Sequence, residues 1–239
     1  MYSFDGRIRY SEVDSDGKLT LLSLLNYFQD CSTFQSEDLG LGFRYMEEHK
    51  KLWVLSFWQI VVEDYPDLGE RVKVNTHPYA FRSFLGYRNF SMTDREGNYY
   101  AKGNSLWSLI GAETFKPVSP EPEMLEKYVV EEKLPMDYAS RKIALQGDGR
   151  QMAPIEVKPH HLDTNHHVNN GQYVAVAMDF LPEHTFIRQM RAEYKKQALL
   201  GDVFYPYVEE HDGTYGISLN DSGGSAYAVI EFQTNRESE

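Results

Sequence analysis

The sequence predicts an α+β chain made of two copies of one unit, each an antiparallel sheet wrapped around one long helix. Three observations carry this expectation. Each half runs through an extended stretch, a polar turn, a helix of apolar periodicity and then four or five β-branched and aromatic segments parted by Gly, Asp and Asn. The halves also align on each other: a shift of 149 positions lays Val13, Asp14, Ser15, Asp16, Gly17, Lys18, Leu19 and Thr20 over Leu162, Asp163, Thr164, Asn165, His166, His167, Val168 and Asn169. Finally, 239 residues suffice for two ordinary units, each with its own core, and a hydrophobic content of 41% excludes disorder as the main state. A sheet closed over a helix buries the apolar faces of both.

In the first copy, Thr20 follows the polar turn as a helix cap, and Leu21, Leu24, Leu25 and Phe28 recur at helical spacing. Strands are expected over 54–62, 71–79, 85–92 and 99–110, with Asp94, Arg95, Glu96 and Gly97 as a hairpin turn. This copy spans residues 1–116. Residues 117–150 read as a connector, proline-rich at its start and acidic over 126–132, with Met124, Leu125 and Tyr128 anchoring a short helix.

The second copy spans residues 151–239. Residues 155–159 are extended, since a residue before proline is pushed toward β geometry. Asn169, with Gln172 three positions on, reads as a capping-box variant, and Tyr173, Ala177 and Phe180 follow at helical spacing. Strands are expected over 187–197, 203–209, 214–219 and 226–233, the hairpin turn at 221–224 repeating that at 94–97. Asp163, Asn165 and His167 therefore fall in the loop just before a helix start, where free N–H groups and the helix dipole can hold an oxyanion.

The string Asp163, Asn165, His167, Val168, Asn169, Asn170 and Tyr173, in the pattern D-x-N-x-H-V-N-N-x-x-Y, resembles the acyl-acyl carrier protein thioesterases, which release fatty acids from their carrier. The likeness continues through Glu193, Tyr194, Lys195, Lys196, Gln197 and Ala198 to Gly201 and Asp202, in the place of the family's E-Y-R-R-E-C strand and Gly-Asp pair. Ser105, Trp107 and Thr114 echo a segment of the family's first half. The resemblance implies a tandem (double) hot-dog fold, with Asp163, Asn165 and His167 in the active site of the C-terminal repeat. Gln197 stands where the family usually carries a catalytic Glu, and Ala198 where plant members carry Cys. In the first copy Lys18 takes the place of His167 and Asp16 that of Asn165, so that site is expected to be degenerate.

Thioester hydrolysis needs an activated water and donors for the developing oxyanion. His167 is the expected base, and Asn165 a non-titrating donor for water or carbonyl. Asp163 orients the substrate or His167, or attacks the thioester directly to form an anhydride, and these roles stay open at this stage. The backbone N–H groups of Val168, Asn169 and Asn170 are expected oxyanion donors, and Gln197 can hold a water but not take its proton. The implied partner is acyl carrier protein with its phosphopantetheine-linked chain. Acyl-coenzyme A hydrolysis and non-catalytic acyl-thioester binding are the alternatives, and a homodimer is compatible with the reading.

The net charge of −12 disfavours nucleic acid and repels an acidic carrier at long range. Docking therefore calls for a local basic face, either Arg188, Arg191, Lys195 and Lys196 or Arg71, Lys73, Arg82 and Arg88. No cofactor is expected, because phosphate-binding and dinucleotide fingerprints are missing. No metal is expected either, since His160, His161, His166 and His167 cluster without ligand spacing. No run approaches the ~20 apolar residues of a membrane span, and residues 1–10 show no export signal. Cys31 alone allows no internal disulfide and suits a cytoplasmic setting, as a buried, inert thiol on the first helix.

Overall fold

The computed structural model describes residues 1–235. The last four residues of the range expected for the second repeat, 236–239, lie outside the described residues. The chain divides into two compact units, residues 1–56 with 60–138, and residues 57–59 with 139–235 of those described.

In the first unit, β1 (Tyr2–Arg7), β2 (Lys51–Val62), β3 (Arg71–Arg82), β4 (Leu85–Thr93) and β5 (Tyr99–Gly111) form a sheet in the order β1-β3-β4-β5-β2. Helix α1 (Leu21–Asp38) begins at Thr20, whose side chain accepts the Ser23 N–H. Its buried face carries Leu21, Leu24, Leu25, Phe28 and Cys31, the stripe expected from the spacing. Phe28 stacks on Phe90 at 5.3 Å and lies against Gly103, where an added Cβ would meet the ring at 3.1 Å. Glycine in mid-strand thus lets the helix approach the sheet closely. Cys31 is fully buried, and burial pushes its thiol up to about 12, so it is inert as expected. A short helix α2 (Phe43–Glu48) follows α1. The stretch after β5 forms helix α3 (Pro122–Glu126), and Met124 and Tyr128 are buried with Leu41 and Leu109.

In the second unit the order is β8-β11-β10-β9-β6, from β8 (Ile187–Tyr194), β11 (Ala226–Thr234), β10 (Thr214–Asn220), β9 (Val203–His211) and β6 (Arg150–Gln151), while β7 (Ile155–Glu156) also pairs with β9. Helix α4 (Asn170–Met178) packs on β10 and β11. Tyr173 and Phe204 pack at 5.5 Å, and Phe204 and Tyr227 at 5.4 Å.

Two expectations need correcting. Helix α4 has 9 residues against 18 in α1, so the second repeat lacks a long helix and Phe180 lies beyond its end. Pro182 accounts for this, since it disfavours helical geometry at Leu181. Strand β8 stops at Tyr194 rather than at Gln197. The N–H groups of Lys195 and Lys196 both reach the Tyr227 carbonyl, at 2.8 and 3.2 Å, so the chain leaves the ladder there.

Candidate active site

The turn that precedes α4 is closed by its own acid. Asp163 Oδ1 accepts the N–H of Asn165 at 2.8 Å and of His167 at 3.2 Å. The Asp163 N–H donates to the His167 carbonyl at 2.8 Å, and the His166 N–H to the Asp163 carbonyl at 3.1 Å. Residue 166 must then adopt a left-handed conformation, and His166 has φ +62°. Just after the turn, the side chain of Asn169 accepts the Gly171 N–H at 2.8 Å and caps α4, as the sequence suggested, though through Gly171 and not Gln172.

Asp163, Asn165 and His167 are thus brought into one five-residue loop, with Asn165 exposed and His167 half-buried. Nδ1 of His167 is buried and has no hydrogen-bond partner among the described residues. Asp163 does not orient that ring through Oδ1, which is taken up by backbone. Gln197 is exposed, in the segment after β8. That segment lies beside the turn: His167 pairs with Leu199, and the Val168 N–H donates to the Ala198 carbonyl at 2.9 Å. The other side of the same residue is fixed from α4, because the Ala198 N–H donates to the Tyr173 hydroxyl at 2.8 Å. Tyr194 in turn donates its hydroxyl to the Asn170 carbonyl at 3.0 Å.

These bonds narrow the oxyanion expectation. The N–H of Val168 is engaged by Ala198 and that of Asn169 by the His161 carbonyl at 2.8 Å, so neither is available to substrate. The N–H groups of Asn165 and His167 are held by Asp163. Asn170, at the first position of α4, is left as the candidate backbone donor.

The brace formed by Tyr173 and the support from His161 are what the sequence reading missed. Nδ1 of His161 accepts the Lys158 N–H at 3.0 Å, and burial, then His160 and Lys158, hold its imidazole below the usual range. The four histidines do not form a ligand set. Among the described residues the one group with metal-ligand proximity is Asp148, Glu209 and His211. There Glu209 already accepts the N–H groups of Gln146 and Gly147, and His211 pairs with Asp148 at 2.8 Å.

Of the two expected basic faces, the one beside the site strand is largely neutralised, while Arg71, Lys73 and Arg82 of the other stay exposed. Arg191 makes a forked pair with Glu231 at 2.9 and 2.7 Å, Lys196 pairs with Asp221, and Lys195 lies 3.7 Å from Glu193. Arg88 is buried against Gln35, Thr76 and the Tyr128 ring and so contributes nothing to a surface. No helix among the described residues is long and apolar enough to cross a membrane.

Comparison with known proteins places these features. A family model described as the acyl-ACP thioesterase N-terminal domain matches residues 2–128, and one described as the C-terminal domain matches residues 146–231. A chloroplastic palmitoyl-acyl carrier protein thioesterase of Arabidopsis thaliana is 25% identical, over 80% of this chain and 50% of its own length. Oleoyl-acyl carrier protein thioesterase 1 of the same plant is 23% identical over 91% and 67%. The chain spans about half the length of the curated relatives it first matches. Among solved structures, an acyl-ACP thioesterase from Bacteroides thetaiotaomicron superposes with a TM-score of 0.89 at 23% identity, covering 98% of this chain and 97% of that one. The 12:0-ACP thioesterase of Umbellularia californica gives 0.87 at 20%, covering 99% and 97%. The fold is therefore the double hot-dog expected from the sequence.

Proposed function

The chain belongs to the acyl-ACP thioesterase family, and from that premise we propose that it hydrolyses the thioester of fatty acyl-acyl carrier protein, releasing free fatty acid in fatty acid biosynthesis. The observation that carries the reading is a difference between the two copies. On one backbone turn, the first copy has Asp16 and Lys18 where the second has Asn165 and His167. A cation that stays protonated cannot accept a proton from water, whereas a neutral imidazole can.

In this reading His167 takes the proton of the attacking water as the C–S bond breaks, and returns it to the leaving thiolate. Asn165 positions water or the thioester carbonyl, and the Asn170 N–H at the start of α4 meets the developing oxyanion. Gln197 holds water by hydrogen bonds without accepting its proton. The reaction takes place in the cytoplasm, on a carrier presented as its phosphopantetheine thioester.

The exchange of Glu for Gln at position 197 favours a second reading, in which the chain binds acyl thioesters without turning them over. Thiol release from acyl carrier protein loaded with chains of graded length, compared with the same chains on coenzyme A, separates the readings. Release from the carrier supports the proposal. Faster release from coenzyme A assigns the activity to that carrier, and no release from either, with bound acyl carrier seen by native mass spectrometry, rejects catalysis.

A further inference from the structure

The first copy retains the turn almost bond for bond. Asp14 Oδ1 accepts the N–H groups of Asp16 and Lys18, each at 3.0 Å. The Asp14 N–H donates to the Lys18 carbonyl at 2.9 Å and the Gly17 N–H to the Asp14 carbonyl at 3.1 Å. Val13 bridges Leu19 as Leu162 bridges Val168. The Leu19 N–H reaches the Pro66 carbonyl at 2.9 Å, as that of Val168 reaches Ala198, and the Thr20 N–H reaches the Glu12 carbonyl at 2.9 Å, as that of Asn169 reaches His161. Lys18 pairs with Asp67 as His167 pairs with Leu199.

What differs is the chemistry carried on this frame. Lys18 is tied to Asp67 by an ion pair of 3.1 Å, which raises its pKa further above the ordinary value and keeps it cationic. A copy with no base has no use for a nucleophile, yet its acid persists with the same oxygen on the same two donors. A nucleophilic role leaves that retention without a cause, while a role in closing the turn explains both copies at once.

We infer that Asp163 is a positioning residue and not the nucleophile: its carboxylate clamps the N–H groups of Asn165 and His167 and thereby sets where those two side chains stand, and water attacks the thioester directly. This rests on the proposed hydrolase reading. If Asp163 attacked, its oxygen would form a bond to the acyl carbon as the C–S bond broke, giving a mixed anhydride that water must then open. A carboxamide cannot do this, but it can accept the same two N–H bonds.

The test compares Asp163→Asn with Asp163→Ala, and Asp14→Asn with Asp14→Ala, by amide hydrogen exchange at positions 165 and 167 or 16 and 18, and by kcat against pH. Asp163→Asn should keep exchange protection, hold kcat within about ten-fold of wild type and leave the shape of the pH profile unchanged. Asp163→Ala should lose protection and on the order of 10²-fold in kcat, the effect of a displaced reacting group. An Asp163→Asn variant with intact protection but the kcat of Asp163→Ala overturns the inference, as does loss of protection in the Asn variants of both copies. Should the wild type release no thiol from any carrier, the hydrolase reading fails by itself, and exchange in the four variants still decides whether the acids hold the turns.

Discussion

Replacing Tyr173 by Phe removes one oxygen and leaves the N–H of Ala198 without an acceptor. Ala198 is fully buried, so water cannot take over, and its N–H now donates to that hydroxyl at 2.8 Å. Leaving a buried donor unsatisfied costs about 1–3 kcal/mol. At roughly 2–4 °C per kcal/mol for a chain of this size, the melting temperature should fall on the order of 2–12 °C. The first copy shows how the demand can be removed at its source. Pro66, which has no N–H, stands where Ala198 stands and accepts the Leu19 N–H on its carbonyl in the same way, and Leu24 stands where Tyr173 stands. The double variant Tyr173→Phe with Ala198→Pro should therefore cost less than the sum of the two single changes, with a coupling of about 1 kcal/mol or more, read from calorimetric or denaturant melts of all four proteins. Additive costs, or a Tyr173→Phe melt indistinguishable from wild type, would refute the assignment of this hydroxyl as the brace of the segment beside His167.

Three other expectations follow from the geometry. His167→Ala should lower thiol release by about 10²–10⁴-fold with an unchanged melt, while Lys18→Ala stays within a few-fold; equal losses in both would mean that the first copy is chemically active. Gln197→Glu should raise kcat or add a limb near the carboxylate pKa to the pH–rate profile, and identical profiles would remove position 197 from the chemistry. His161, held below its ordinary value of 6.5, is neutral when it accepts the Lys158 N–H; the stability it contributes is complete above that ordinary value and is lost as pH falls through the lowered one. His161→Glu installs the residue found at this place in the first copy, where Glu12 accepts the Arg9 N–H at 2.8 Å, and should remove the His161 share of the acid limb of the melting temperature. That leaves the share of His77, lowered likewise by burial, and those of Asp94, Glu121 and Asp221, whose carboxyls are held below their ordinary range chiefly by side-chain hydrogen bonds.

The duplication was legible because the turn is written in residues that act locally. The side chains of Asp14 and Asp163 and of the caps Thr20 and Asn169 all bond within five residues of themselves, so their pattern survives in sequence. The apolar stripe of α1 and the site turn were readable for the same reason. What escaped depended on distance along the chain. The Tyr173 brace joins residues 25 positions apart, and the repeat offset at Pro66 and Ala198 is 132, not the 149 of the turn, which hides their equivalence. The end of β8 is set by the Tyr227 carbonyl, and no local signal marks it. Charge depends on distance in the same way: Arg191 and Lys196, counted toward a basic face, meet Glu231 and Asp221 from the neighbouring hairpin.

The third position after each acid provides a test of which histidine belongs to the chemistry. The turn demands positive φ there, and the first copy meets it with Gly17 at +77°, the second with His166 at +62°. A side chain in this conformation costs roughly 1–2 kcal/mol relative to glycine, while glycine gains more freedom in the unfolded chain, worth roughly 0.4–1 kcal/mol in the opposite sense. His166→Gly should therefore be neutral to stabilising by at most about 1–2 kcal/mol, and Gly17→His destabilising by a similar amount. His166 is exposed, and its ring is not the one whose Nδ1 is buried beside the helix start. Its removal should leave kcat within a few-fold of wild type. A ten-fold loss of turnover in His166→Gly, with the melt preserved or raised, would show that the wrong one of two adjacent histidines has been assigned the proton.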